Sequence, residues 1–179
     1  RWQAGQSYPD EVALPLPASL APGIYRLTMA VYDAQLNPAG LPQDIALLPY
    51  LPNQIASAKP NAVSDAGWSL RSVEWAGDGS GGLIVVAKGT VQARPAKDYT
   101  WFAHLLDARG RLVGQDDHPP LVSTSSWQPG EQIQEIFRLP STSQAVTLEL
   151  GAYDSSGARV PYKTANGSAD HLEIQLSGR

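Results

Sequence analysis

The 179-residue chain carries 13 Lys and Arg against 17 Asp and Glu, a net charge of -4, which argues against nucleic acid or an anionic membrane surface as its main partner. It has no cysteine, which excludes a disulfide framework, a zinc-thiolate site and a cysteine nucleophile. Hydrophobic residues make up 42% and support a packed core, while 16 Gly and 15 Pro point to many turns joining short strands.

The chain opens on Arg1 rather than Met, as a processed product or an excised piece of a longer protein does. Its first segment reads Trp2-Gln3, Gly5, a polar gap, then Leu14-Pro15, and the pair Pro15 and Pro17 rules out a regular helix there. Over residues 24–33, Tyr25, Leu27, Met29 and Val31 alternate with Arg26, Thr28 and Ala30, the period of a strand. Tyr32-Asp33 and a turn-forming stretch follow, then Leu41-Pro42 and an apolar strand over 44–51. Residues 56–67, in a Pro-, Ala- and Ser-rich stretch, read as a linker.

Further strands are expected over 69–77, 81–92, 98–108 and 111–120. The second of these is entered through a Gly-rich turn that lacks the Lys and the strand-to-helix context of a phosphate loop. In the third, Tyr99, Trp101, Ala103 and Leu105 share a face. Residues 126–140 then return to the opening pattern, with Trp127-Gln128, Gly130 and Leu139-Pro140 at the same spacing. Val146, Leu148 and Leu150 alternate over 145–154, Tyr153-Asp154 precede a turn, and Val160-Pro161 lead into a last apolar strand over 170–176. Helical periodicity is almost absent, and no apolar run reaches the ~18 residues a membrane span needs.

The same order of motifs twice, with matching spacing, indicates an internal duplication. Its markers are Trp2, Gly5, Tyr32 and Asp33 in the first copy, and Trp127, Gly130, Tyr153 and Asp154 in the second. The second copy has a front half of four strands and the first has none. The expected fold is therefore all-β, a tandem of immunoglobulin- or fibronectin-like β-sandwiches with an incomplete first copy. Residues 1–55 form the C-terminal half of a first sandwich, 56–67 the linker, and 68–179 a complete second sandwich. A half-domain exposes strand edges and an apolar face, so the first copy is expected to lean on the second or to self-associate through its edges.

The second copy carries His104, Leu105, Asp107, Gly110, Gln115 and Asp117, then Trp127, Gly130 and Glu131, then Gly151, Tyr153, Asp154, Gly157, Arg159 and Pro161. This constellation resembles the C-terminal extracytoplasmic β-domains of bacterial polytopic membrane proteins of the glycosyltransferase-like, mannosyltransferase kind, many of unknown function. The first copy departs from it at Gln6, where the pattern has Glu, and at Ala30, where it has Gly. The resemblance implies an accessory region outside the bacterial cytoplasm, periplasmic or at the cell surface. Transferase chemistry and membrane contact would then belong to other parts of the parent protein.

Few residues offer chemistry. Asp116-Asp117-His118 looks like an acid–base or metal cluster, but neighbouring strand residues point to opposite faces, and Pro119-Pro120 make the stretch read as a strand exit. His104 stands in a strand and reads as a structural histidine bonded across the sheet, because no Ser stands in a nucleophile motif. Asp33 and Asp154 suit turns whose backbone N–H groups they accept, and Tyr32 and Tyr153 suit corners that tie the hydroxyl to backbone. Of the five tryptophans, Trp68 and Trp75 are the two left free to stack on a sugar.

No catalytic residue, metal ligand set or cofactor motif is assigned. The expectation is a non-enzymatic region that is structural or recognises a glycan or a neighbouring protein. The alternative is a small hydrolase with its site between the two copies, built on His104 or on Asp116, Asp117 and His118.

Overall fold

The computed structural model of the chain describes residues 15, 17, 19–51, 55–140 and 144–176, so the markers Trp2 and Gly5 lie outside the described residues. Among the described residues the protein is all-β, with one short 3-10 turn and no α-helix. Among the described residues no helix is long and apolar enough to cross a membrane.

Two antiparallel sheets face each other. The first contains β3 (Ala56–Ala58), β4 (Ala62–Ser64), β5 (Trp68–Gly77), β6 (Leu83–Val91) and β9 (Gln132–Leu139), extended by β11 (Tyr162–Thr164) and β12 (Gly167–Ala169). Its order is β12-β11-β4-β5-β6-β9, with β3 also paired to β5. The second sheet is ordered β13-β10-β7-β8, from β7 (Tyr99–Asp107), β8 (Leu112–His118), β10 (Ala145–Asp154) and β13 (Leu172–Gln175). The chain crosses between the sheets after β6, β8, β9, β10 and β12. A separate hairpin, β1 (Gly23–Met29) with β2 (Gln43–Tyr50), comes from the first copy.

Residues 56–67 are not an unpaired linker. They hold β3 and β4, both hydrogen-bonded to β5, and β4 is paired on its other side with β11.

The inner faces of the sheets meet around three indoles. The Trp68 ring lies 5.3 Å from Trp101 and 6.0 Å from Trp127, the latter edge-on, with Tyr99 also edge-on at 5.3 Å. Such ring pairs add about 0.5–1.5 kcal/mol each beyond the area they bury. Leu70, Val73, Val85, Phe137, Leu148 and Leu150 complete the fully buried layer. The expected free tryptophans are therefore core residues: Trp68 and Trp75 are 0% and 6% exposed. A register shift between Leu70 and Ser72 carries the strand across one extra residue and returns Val73 and Trp75 to the inner face that Trp68 and Leu70 occupy.

Strand β6 is buried on both sides. Leu83, Val85 and Ala87 face the core, while Ile84 and Val86 form a second cluster with Ile136, packed against Ile24, Leu47 and Leu51. The β1–β2 hairpin thus lies on the outer face of β6 and β9.

An Asp-anchored turn recurs four times in the chain. Asp33, Asp78, Asp107 and Asp154 each donate their backbone N–H to the carbonyl four residues on, at Asn37, Gly82, Arg111 and Ala158. Each carboxylate also accepts the N–H groups two and four residues ahead. The fourth residue of the turn is left-handed: Leu36 (φ 63°), Gly81 (φ 96°), Gly110 (φ 73°) and Gly157 (φ 82°). At Asp33, Asp107 and Asp154 the left-handed residue also donates its N–H to the Asp carbonyl, a type I turn with a one-residue bulge where Asp suits the first position and Gly the left-handed one; the Asp78 loop differs, with Gly79 at φ 77°. The expected role of Asp33 and Asp154 holds, and both copies place an isolated bridge just outside the turn, Tyr32 to Pro38 and Tyr153 to Arg159.

A non-glycine residue in the left-handed region costs about 1–2 kcal/mol. Gly157→Ala should therefore lower the unfolding free energy by about 1 kcal/mol, read from the denaturant midpoint. Leu36 is largely exposed and gives up little packing, so Leu36→Gly should slow amide exchange in the β1–β2 hairpin.

Candidate functional site

The outer face of the four-stranded sheet carries a row of histidines and carboxylates that crosses all four strands. Its placement follows from pairing. Glu149 on β10 lies directly opposite His104 on β7 and Glu173 on β13, and His104 lies opposite Gln115, two residues before Asp117 on β8. Because Leu148, Leu150, Ala103, Leu105 and Leu172 turn inward, their neighbours Glu149, His104, His171 and Glu173 turn outward.

At one end, His104 Nε2 lies 3.0 Å from Asp117 Oδ1, the expected cross-sheet bond, and the Tyr153 hydroxyl donates to Asp117 Oδ2 at 3.3 Å. Tyr153 is thus tied to a side chain and not to backbone, which corrects the corner reading. In the middle, Glu149 Oε2 is 3.9 Å from His104 Nδ1 and Glu149 Oε1 is 3.5 Å from His171 Nε2. At the other end, His171 Nε2 is 3.4 Å from Glu173 Oε1 and His171 Nδ1 is 2.6 Å from Asp170 Oδ1. Glu149, His171 and Glu173 offer three ligand atoms within 4.8 Å of one another.

Next to the row lies an aromatic pad that accounts for the Gly-x-Tyr-Asp segment. The Phe102 ring rests over Gly151, where a Cβ would come within 2.5 Å of it. The Arg159 guanidinium stacks on that ring at 4.7 Å, with Tyr153 and His104 beside it. Gly151 makes room for Phe102, Gly157 closes the turn and Arg159 covers the ring, so this part of the motif builds the face.

Asp116 and Asp117 point to opposite faces, as adjacent strand residues must. Asp116 joins the two sheets at their open edge: its Oδ2 accepts the Arg138 backbone N–H of β9 at 2.7 Å, and its Oδ1 lies 3.1 Å from His118 Nδ1. His118 Nε2 reaches Glu135 Oε2 of β9 at 3.8 Å, and its ring packs on Phe137. The Asp116 and Glu135 carboxylates raise the His118 pKa to about 9 against the cost of burial, so the imidazole is protonated at neutral pH. Burial pushes the Glu135 carboxyl up, and His118 partly offsets this. The cluster forms a clasp between β8 and β9.

His118 and Glu135 also border a cleft of about 550 Å³ between the first-copy hairpin and the sandwich, with Ile45, Leu47, Trp127 and Ile133 among its walls. Trp127 presents only its edge there, because its indole N–H donates to the Val122 carbonyl at 3.1 Å and the ring packs into the core. Gly130 takes φ 92° in the adjoining turn, where the Glu131 carboxylate accepts the Gln128 N–H at 3.0 Å.

The site the structure assembles differs from the one read in the sequence. Trp68 is fully buried, and Trp75 is 6% exposed, in the wall of a cleft of about 300 Å³ with β3 and Glu173. His104 and Asp117 belong to the row, while Glu149, His171 and Glu173 were overlooked. Their signal was the two-residue spacing of His171 and Glu173 and the isolated Glu149 between two leucines; only the pairing of β10 with β13 joins them.

No protein-family model, curated protein or solved structure matches the chain.

The clasp makes a pH prediction. The folded His118 pKa lies above its ordinary 6.5, so its contribution to stability is complete below about 6.5 and is lost as pH rises through about 9. After solvent screening the loss should be about 1–2 kcal/mol. Denaturant melts of the native chain from pH 6 to pH 10 should show this slope, and His118→Gln should remove it.

Proposed function

We propose that the chain is a non-catalytic β-sandwich accessory region of a larger bacterial membrane or surface protein, held outside the cytoplasm and working by contact with a neighbouring protein. The observation that carries this reading is the open face of the first-copy hairpin. Aligned on their Tyr-Asp pairs, Leu27, Met29 and Val31 correspond to Leu148, Leu150 and Ala152, which the second copy buries completely. In the first copy, Met29 is 52% exposed and Val31 41%. Leu48 and Tyr50, opposite Tyr25 and Gly23, extend the same face and are 41% and 39% exposed.

The second copy supplies the chemistry of the cover. Its corresponding strand packs on the inner face of β5, β6 and β9, an apolar three-stranded sheet. The partner expected on the hairpin is a sheet of that kind. The resemblance of the 104–161 motifs to extracytoplasmic domains of bacterial membrane proteins supports the compartment.

Burial of Trp68 and Trp75 withdraws the surfaces on which glycan stacking was expected, and this favours protein contact. The hydrolase alternative is disfavoured by chemistry: His118 is protonated and engaged by Asp116 and Glu135, and the cleft between the copies is bordered by no Ser or Thr hydroxyl among the described residues.

With its cover absent, the isolated chain should associate with itself through this face, giving a concentration-dependent dimer by sedimentation equilibrium and binding an apolar dye. Met29→Asp with Leu48→Asp should abolish both and leave the melting temperature of the sandwich unchanged. A wild-type chain that stays monomeric and binds no dye overturns the reading.

A further inference from the structure

We propose that Glu149, His171 and Glu173 bind a divalent first-row transition ion, with Zn2+ as the fitting chemistry, on the outer face of the four-stranded sheet. This inference is independent of the hairpin contact.

Three observations converge on it. The first is spacing. His171 Nε2 stands 3.4 Å from Glu173 Oε1 and 3.5 Å from Glu149 Oε1. A charge-assisted N–H···O bond closes to about 2.7–2.9 Å. Donors arranged tetrahedrally at about 2.0–2.1 Å from an ion stand ~3.3 Å apart. Both separations from Nε2 are close to that value, and all three donor atoms lie within 4.8 Å of one another.

The second is the support behind the imidazole. Asp170 Oδ1 lies 2.6 Å from His171 Nδ1, while Nε2 on the other side of the ring is the nitrogen nearest the Glu149 and Glu173 carboxylates. A carboxylate behind the far nitrogen of a histidine is the arrangement that orients metal-bound imidazoles and makes them more basic. Asp170 is itself approached by Arg159 Nη1 at 3.8 Å, which anchors this support to the aromatic pad.

The third is charge. Among the described residues, Glu149 and Glu173 form ion pairs with histidine alone, and no Lys or Arg neutralises either. Two carboxylates gathered on one ring nitrogen, with no Lys or Arg beside them, suit a cation between them. Glu149 and His171 are mostly sheltered, with side-chain exposures of 17% and 19%, while Glu173 at 64% leaves an entry path. One imidazole and two carboxylates suit Zn2+ or its neighbours better than Ca2+, which takes oxygen donors. The fourth position remains for water or a donor from outside. His104, 3.9 Å from the second oxygen of Glu149 and held by Asp117, stands behind that ligand.

The test uses the tag-free full chain stripped with a chelator. Zn2+ is titrated calorimetrically, and Co2+ is followed by its visible absorption. The expected result is one equivalent of ion, a Co2+ band of four- or five-coordinate intensity, and affinity that falls on acidification as protons compete for Nε2. His171→Ala and Glu173→Gln should each weaken binding by at least about tenfold, and Asp170→Asn by roughly 10–100-fold. Glu173 is exposed, so its variant keeps the test valid should His171→Ala fail to fold. Absence of saturable uptake overturns the proposal, and so does uptake that Glu173→Gln and Asp170→Asn leave unchanged.

Discussion

The packing of Trp68, Trp101 and Trp127 between the sheets holds every strand of the sandwich to a single register. A slip of one residue would expel each inward side chain and draw its neighbour in. The cost would be prohibitive: truncating one buried leucine to alanine already loses about 2–5 kcal/mol. The same constraint writes the outer surface. With Leu148 and Leu150 committed to the core, Glu149 has no choice but to face out, and it faces out in line with His104 and Glu173 because those strands are pinned by their own buried residues. The polar row is a consequence of an apolar decision made on the other side of the sheet.

The Asp-anchored turn shows a second economy. It closes the β5–β6, β7–β8 and first-copy hairpins and the stretch after β10, so the turn alone does not mark a repeat. What the two copies share beyond it is the Tyr-Asp pair with its flanking bridge, which sets strand phase relative to the turn. In the three glycine-bearing turns the left-handed residue sits at no steric cost. Leu36 tolerates the same backbone only because the Asp33 carboxylate and the hairpin ladder over-determine it. Asp33 and Asp107 take their lowered pKa values first from backbone N–H donors, at Asn37 and Arg111. Asp154 is lowered first by Lys97, which adds a salt bridge that Asp33 has no counterpart for in sequence.

Much of this architecture was legible because it is local. Strand alternation over 24–31 and 145–152, and Asp ahead of a Gly or a polar turn, are short-range signals with a direct mechanism. Two kinds of feature were not. Bulges break the count of two: the shift after Leu70 moves Trp75 inward, and the shift between Ala145 and Thr147 leaves Val146 half-exposed although it belongs to the apolar series. Cross-strand neighbours are the other kind. His104, Glu149 and Glu173 lie far apart in sequence and become adjacent only once the order β13-β10-β7-β8 is fixed. The continuous apolar run of β6 was read as a strand, yet its length in apolar residues also reports a second cover, which the hairpin provides through Ile24, Leu47 and Leu51.

The two surfaces with a proposed role lie on opposite sides of the molecule. The hairpin rests on the outer face of β6 and β9, and its open side points away from them. The histidine–carboxylate row lies on the outer face of the opposing sheet. About 10 Å of packed core separates the sheets. A partner sheet laid over Met29 and Leu48 therefore leaves Glu149, His171 and Glu173 accessible, and an ion held at the row does not depend on the hairpin being covered. Coupling between them would have to pass through the core, whose strands are locked in one register and offer no second arrangement to switch into. The register that the core imposes thus places an apolar sheet face on one side of the molecule and a charged donor set on the other, and the two proposals can be tested separately.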